Sequence, residues 1–152
     1  WAYFARRRSR LMLLLDTNVV SALRLPDRAA PEVRAWSSSA LVESHFISVV
    51  TVLELEGGVL RIERRDARQG AILRRWLENE VIARLAGCIL TIDLAIARRA
   101  ATFHVPDPRP EGDALIAATA LTHWLTVVTP NVADFEPMGV VLLNPWFAPA
   151  GK

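Results

Sequence analysis

The chain is poor in the features that stabilise secreted proteins or anchor proteins in membranes. Cys88 is the single cysteine among 152 residues, so neither an internal disulfide nor a cysteine-based zinc site can form. The uncharged run Ala114 to Val128 is shorter than the roughly 18 apolar residues that a membrane-spanning helix needs. We therefore expect a cytoplasmic protein with no membrane partner.

The net charge of the chain excludes few classes of binding partner. Eighteen basic residues face 16 acidic ones, for a formal net charge of +2, and this small excess does not by itself demand an anionic partner. Lysine is nearly absent, since Lys152 is the one lysine and the other basic residues are arginines. Arginine suits contacts to phosphate because its planar guanidinium can bind two oxygens at once.

The length predicts one domain. With 52% apolar residues among 152, the chain can bury one sizeable core but hardly two. Residues 1–11 carry four arginines without periodicity, which indicates an extension, a tag remnant or a mobile arm. We assign residues 12–147 to the folded domain and residues 148–152 to a C-terminal tail.

Apolar runs typical of strands alternate with helical patterns along this domain. "MLLL" ends abruptly at Asp16, and "HFISVV" is followed by Thr51-Val-Leu-Glu54, which has the form of a capping box that begins a helix. Residues 66–86 have helical spacing, and Asp93 can cap the helix after "CILTI". Two further strands are predicted in "LTVVT" and "VVLL". This alternation predicts a three-layer α/β/α sandwich with a mainly parallel central sheet.

Carboxylates follow the predicted strands at comparable points. In a parallel sheet these points share one edge, where ligands usually bind. Each acid alone can be a helix cap or a favourable partner of a helix dipole. Together they would repel unless a cation compensated them, and oxygen ligands without cysteine or paired histidines favour Mg²⁺ or Mn²⁺. Phosphodiester hydrolysis is the chemistry that best fits such a site. The four acids are Asp16, Glu54, Asp113 and Asp134.

Four blocks of the chain resemble one known family. They are "MLLLDTNVVSALRLP", "SVVTVLELEGG", "DALIAATALTHWLTVVTPNVADF" and "GVVLLNPW", which run in order from Met12 to about Trp146. In these blocks the chain is similar to the PIN-domain ribonuclease toxins of the VapC and FitB type, which belong to type II toxin–antitoxin systems. "LLLDTN" alone would be a weak signal, but four blocks at these intervals are specific.

The resemblance implies an endoribonuclease that depends on Mg²⁺ or Mn²⁺. Its acidic quartet maps onto Asp16, Glu54, Asp113 and one residue of the turn after "LTVVT", where either Asp134 or Asn131 can hold the fourth position. We favour Asp134 for its charge. Pro130 replaces an arginine common in relatives, and Glu56 stands where a basic residue is frequent.

The roles of the neighbouring polar residues are left open by the pattern. Thr17 and Asn18 either orient Asp16 or satisfy the turn, and Thr129 can support the site in the same way. Six arginines can line a path for an RNA backbone or form a solvated helix face, and Trp76 can serve the core or a dimer contact. These arginines are Arg61, Arg64, Arg65, Arg68, Arg74 and Arg75.

The resemblance also implies partners. We expect a homodimer that binds a cognate antitoxin, whose C-terminal segment enters the acidic groove, and that contacts operator DNA through the antitoxin. One alternative is a catalytically weak PIN-fold module that acts through antitoxin binding and operator autoregulation. Another is a phosphatase with Asp16 as nucleophile, although Asn18 stands where such enzymes need a second aspartate.

Overall fold

The computed structural model describes residues 11–39 and 44–147, and these contain five strands in one sheet. The strands are β1 Leu13–Leu15, β2 His45–Ser48, β3 Ile89–Leu90, β4 Thr126–Val128 and β5 Leu142–Leu143. Their spatial order is β3-β2-β1-β4-β5, and every neighbouring pair is parallel. The predicted N-terminal extension, apart from Leu11, and the predicted tail lie outside the described residues.

The strand order reverses at β1. From β1 the chain proceeds outward to β2 and β3, and it then crosses to the other side of β1, where β4 and β5 follow. In open parallel sheets, ligands bind outside the carboxyl ends of the strands at such a reversal. The crevice between the ends of β1 and β4 is therefore the place in this fold that is most suited to a functional site.

Both faces of the sheet are covered. Leu13 and Leu15 join one buried cluster, whereas Leu14 between them joins the other. Val127 and Val128 of β4 divide between the two clusters in the same way, because successive strand residues point to opposite faces. A strand that is buried on both faces needs a layer of helices on each, and the predicted three-layer arrangement is confirmed.

Seven α-helices lie within the described residues. One face of the sheet is covered by the helices that follow β1 and β2 and by the next helix along the chain, and the other face is covered by the helices that flank β4. None of the helices in the described ranges combines the length and apolar character needed to cross a membrane. The helices are α1 Thr17–Ala22, α2 Pro31–Ser39, α3 Val49–Arg65, α4 Ala67–Trp76, α5 Leu94–Thr102, α6 Glu111–His123 and α7 Val132–Phe135.

Capping side chains mark where these helices begin, and in one case the capping residue differs from the one predicted. Asp16 and Asp93 cap α1 and α5 as predicted, since each carboxylate accepts a backbone N–H of the first turn. The predicted capping box at Thr51 is wrong. Helix α3 begins two residues earlier, at Val49, because the Ser48 hydroxyl accepts from Val50 N at 3.0 Å. Strand β2 accordingly ends at Ser48 rather than Val50.

The helix predicted over residues 66–86 is regular only in its first half. Asp66 caps α4 by accepting from Gln69 N, and the α-helical bonding ends at Trp76. A π-helix follows over Leu77–Ile82, as shown by the Ala83 N–H, which donates to the carbonyl of Glu78 five residues earlier. Gly87 then adopts a φ of +83° in the turn before β3.

Helices α3 and α4 form a hairpin that is linked by salt bridges. The Arg74 guanidinium donates to Glu56 Oε1 at 2.6 Å, and it binds both oxygens of Glu63 at 3.0 and 3.2 Å. Glu78 Oε1 lies 3.6 Å away. We call these four residues the Arg74 cluster.

Candidate active site

Asp16 lies at the end of β1, beside the crevice between β1 and β4. Its side chain is buried, with 5% of the residue exposed. Oδ1 accepts from Thr17 N and Oδ2 accepts from the Thr129 hydroxyl, each at 2.8 Å, while the Asp16 N–H donates to Val128 O. The carboxylate is therefore held from both sides of the strand reversal, and its orientation is fixed by β1 and β4 together.

The other three predicted acids reach the same place from separate elements. Glu54 lies in the second turn of α3, Asp113 in the first turn of α6, and Asp134 in α7. Burial is the largest cause that raises the pKa of Asp113, and together with the charges of Asp16, Asp134 and Glu54, in that order of size, it brings this pKa to about 6. The four predicted acids are therefore close enough for the charges of three of them to act on the fourth, Asp113.

Asp16 is likewise shifted toward its protonated form. Its burial is the largest cause that raises the pKa of its carboxyl, and the charge of Glu54 adds to it. The hydrogen bonds from Thr129 and Thr17 act in the opposite direction because they favour the charged carboxylate. In both carboxyls burial is the main cause of the raised pKa, and the charges of neighbouring acids add to it.

Within residues 11–39 and 44–147, none of these four carboxylates forms a salt bridge. In the same ranges no three histidine, cysteine, aspartate or glutamate side chains stand close enough together to form a ready-made metal site. The donor chemistry nevertheless suits a divalent cation, since carboxylate oxygens are the ligands that Mg²⁺ and Mn²⁺ prefer. Glu54 and Asp134 are exposed, so their side chains have room to move.

Two of the predicted supporting residues contact the acids through hydrogen bonds. Thr129 donates to Asp16 and accepts from Asn131 N at 3.0 Å, so Asn131 takes part through its backbone. Thr17 contacts Asp16 through its own N–H. Asn18 is exposed, and no hydrogen bond of its side chain occurs among the described residues. In the turn after β4, Asp134 supplies the charge that acts on Asp113.

Thr51 is a site neighbour that sequence reasoning missed. The Thr17 hydroxyl donates to Thr51 Oγ1 at 3.2 Å, and Thr51 is fully buried. This bond joins the turn that carries Asp16 to the helix that carries Glu54. The pattern Thr-x-x-Glu did select Thr51, but as a helix cap, and a contact between α1 and α3 leaves no local signal in the sequence.

A groove of about 590 Å³ extends from Glu54, the one acid of the four that lines it, along α1, α3 and α4. Thr17 and Glu54 lie at its acidic end, and its apolar lining comes from α3 and α4. Four arginines line it as well: Arg24, Arg61, Arg64 and Arg65. Three of these were among the six proposed for an RNA path. Arg74 does not line the groove, because its guanidinium is bound in the Arg74 cluster.

Comparison with known proteins assigns the family. The PIN domain profile matches residues 13–136, which include all four acids. The chain belongs to the PIN-domain family. It is 36% identical over 143 residues to the VapC ribonuclease Y4jK of Sinorhizobium fredii, with 89% of this chain and 98% of that protein covered.

Two further similarities concern proteins of Neisseria gonorrhoeae. The toxin FitB is 36% identical over 143 residues, which cover 89% of this chain and 99% of FitB. The crystal structure of FitAcB superimposes with a TM-score of 0.81 at 33% identity, and it covers 90% of this chain and 99% of that chain. The PIN-family recognition and the α/β/α fold expected from the four sequence blocks are thereby confirmed.

Proposed function

We propose that this PIN-domain chain is a divalent-metal-dependent endoribonuclease that acts as the toxin of a toxin–antitoxin pair. One observation carries the proposal: the charges of Asp16, Glu54 and Asp134 all act on Asp113, although the four come from four separate segments. Such a concentration of carboxylates at a strand reversal is unfavourable unless a cation binds there. The relatives named ribonuclease and toxin support the choice of RNA as substrate.

The four acids would hold one or two Mg²⁺ or Mn²⁺ ions. A bound divalent ion supplies a water of lowered pKa and neutralises charge on a phosphodiester during in-line attack. Asp16 keeps a fixed orientation because Thr129 and the Thr17 N–H hold its two oxygens. The phosphatase alternative is disfavoured because Asn18 stands where such enzymes need a second aspartate.

The groove supplies a surface for the polymer and for a protein partner. Arg24, Arg61 and Arg64 line the same groove as Glu54, and they can contact backbone phosphates there. We propose that the cognate antitoxin inserts a C-terminal segment into this groove and thereby blocks the acids. Operator DNA would be contacted through the antitoxin. We also propose that the protein is a homodimer and acts in the cytoplasm.

Cleavage of a structured RNA by the purified chain tests the proposal. We expect cleavage with Mg²⁺ or Mn²⁺, none with EDTA, and none from Asp16→Asn at equal folded content. Asp66→Asn is the matched control, because Asp66 also caps a helix and lies twelve residues beyond Glu54, about 18 Å along α3. It should cleave as the wild type does.

Two results would contradict the proposal. Equal cleavage by Asp16→Asn and wild type would remove the acids from the reaction. A folded wild type that binds its antitoxin but cleaves no RNA with either metal would favour the catalytically weak alternative.

A further inference from the structure

Gly112 lies directly before Asp113 in the first turn of α6. A Cβ atom built at this position would lie 2.8 Å from Glu54 Oε1 and 3.6 Å from Val50 Cγ1. The first distance is shorter than real Cβ contacts, which essentially never fall under 3.0 Å. The carboxylate of Glu54 therefore occupies space that any residue other than glycine would fill with its own side chain.

The first turn of α6 is less free to move than Glu54. Helix α6 buries Ile116 and Ala117 against the sheet, and it buries Ala114 against α5. The loop before it is tied by His104, whose Nδ1 accepts from Arg109 N at 3.0 Å. Glu54 is exposed, and among the described residues its side chain makes neither a hydrogen bond nor a salt bridge.

We call Asp16, Glu54, Asp113 and Asp134 the acid site. We propose that Gly112 is a positioning residue of this site: its missing side chain leaves the space in which the Glu54 carboxylate reaches Asp113. The inference rests on the proposed metal-dependent function. A Cβ at position 112 would displace Glu54 from the other acids and leave the fold intact, because the atom in its way is the end of a flexible side chain. Gly112 would then act on metal affinity through Glu54 and not through stability.

Two other glycines show that this arrangement is not general in the chain. Gly58 lies in α3, one turn beyond Glu54, and a Cβ there would meet nothing within 4 Å. Gly70 is buried, and a Cβ there would lie 2.5 Å from Glu63 Cα, so backbone would have to move. Gly58 therefore provides a control with open space, and Gly70 marks a packing constraint.

Mn²⁺ titration calorimetry on EDTA-treated protein tests the inference. Gly112→Ala should bind Mn²⁺ about tenfold more weakly than wild type, as is common when a residue that positions a ligand is changed. Gly58→Ala should bind as wild type does. Both variants should keep the wild-type circular dichroism spectrum and melt at the wild-type temperature or above it, since alanine favours helix.

Two outcomes would overturn the inference. One is equal Mn²⁺ affinity of Gly112→Ala and Gly58→Ala. The other is loss of folded structure in Gly112→Ala, because the inference requires that Glu54 and not the helix gives way.

The conservative Glu54→Asp change provides a rescue test. Shortening the side chain by one methylene removes the overlap, so adding Gly112→Ala to Glu54→Asp should cause little further loss of Mn²⁺ affinity. Contacting residues depart from additivity in this way, whereas a general effect of Gly112 on the fold would add in full. A full tenfold further loss in the double variant would overturn the inference.

A measurement without metal separates this inference from the proposed function. In metal-free protein the ¹³C resonance of the Glu54 carboxyl carbon should shift in Gly112→Ala and stay unchanged in Gly58→Ala. If wild type bound no Mn²⁺, the proposed function would fail, and this resonance would still decide whether Gly112 places Glu54. An unchanged resonance in Gly112→Ala would overturn the inference.

Discussion

The acid site and the Arg74 cluster both consist of closely placed carboxylates, but the pKa values of their carboxyl groups are shifted in opposite directions. In the Arg74 cluster, hydrogen bonds from Arg74 are the main cause that lowers the pKa of Glu63 below its ordinary value of 4.5. In the acid site, burial and like charges raise the pKa of Asp113 from 3.8 to about 6. One group of carboxylates is paired with an arginine, and the other has no salt-bridge partner among the described residues.

This difference separates a structural role from a functional one. The paired acids fasten two helices, and exposed pairs of this kind add modestly to stability. The raised pKa of Asp113 means that its charged form costs folding free energy near pH 7, and we propose that a bound cation offsets this cost.

Removal of one charge from the acid site should abolish function and stabilise the metal-free fold. We expect Asp113→Asn to reduce metal-dependent RNA cleavage by about 100-fold or more, as for the loss of one preorganised charged group. In EDTA the same variant should unfold at higher urea than wild type. Asp107→Asn, an exposed change in the loop before α6, should change neither property. Wild-type cleavage by Asp113→Asn would contradict the account.

The stability gained by Asp113→Asn over wild type should increase as pH rises. The folded-state pKa of Asp113 lies above the unfolded value, so the folded metal-free protein holds this proton more tightly and loses stability as pH rises between about 4 and 7. The gain should therefore be absent near pH 4 and largest near pH 7. Urea unfolding in EDTA across this range measures it, and a gain that is constant with pH would contradict the assignment.

In the α3–α4 hairpin the largest effect should come from packing and not from charge. Gly70→Ala places a Cβ 2.5 Å from Glu63 Cα, so we expect a loss of about 1–3 kcal/mol in the free energy of unfolding. Gly57→Ala is the control, because its Cβ would meet only the Arg61 guanidinium at 3.5 Å. Urea unfolding measures both variants. A Gly70→Ala variant as stable as Gly57→Ala would show that the hairpin is not tightly packed there.

Loss of a supporting hydroxyl should weaken the acid site without unfolding it. Thr129→Val removes the donor to Asp16 Oδ2, and we expect about tenfold lower Mn²⁺ affinity. Thr126→Val changes a buried threonine at the start of β4, which pairs with Leu13 at the end of β1 that lies away from Asp16, and its Mn²⁺ affinity should match wild type. If calorimetry gave equal affinities for the two variants, Thr129 would have no role in the site.

The smallest effect should come from the Arg74 cluster. Because the folded-state pKa of Glu63 is lowered, its charge stabilises the fold above about pH 4.5, and this contribution is lost as pH falls through the lowered value. Glu63→Gln should melt a few degrees below wild type near pH 7 in low salt, and the difference should shrink in molar salt. Its Mn²⁺ affinity should be unchanged, and a lowered affinity would break the contrast between the regions.

The fold and the positions of the acids were predictable because both depend on local patterns. Leu13 to Leu15 form an uninterrupted apolar run, and the strand they predict is buried on both faces. Asp16 follows this strand, at a position where one carboxylate can both cap the next helix and bind a ligand at the edge of the sheet. The capping box at Thr51 was wrong because Ser48 offers the same hydroxyl chemistry nearer the strand end, and a four-residue pattern cannot decide between them.

Contacts between distant segments account for what the sequence did not predict. Arg74 has the pattern of an exposed helical arginine, but the hairpin places Glu56 and Glu63 of α3 against it. The bond between Thr17 and Thr51 and the approach of Glu54 to Gly112 likewise depend on how helices pack on the sheet. No periodicity along one helix encodes such contacts.

Calorimetric titration of Mn²⁺ into the EDTA-treated wild type and Asp16→Asn tests the central claim most directly. The account predicts saturable binding by wild type, its loss in Asp16→Asn, and wild-type binding by Glu63→Gln, in which a carboxylate of the Arg74 cluster is removed. Equal Mn²⁺ binding by wild type and Asp16→Asn, with both folded, would contradict the claim that the unpaired acids form the metal site.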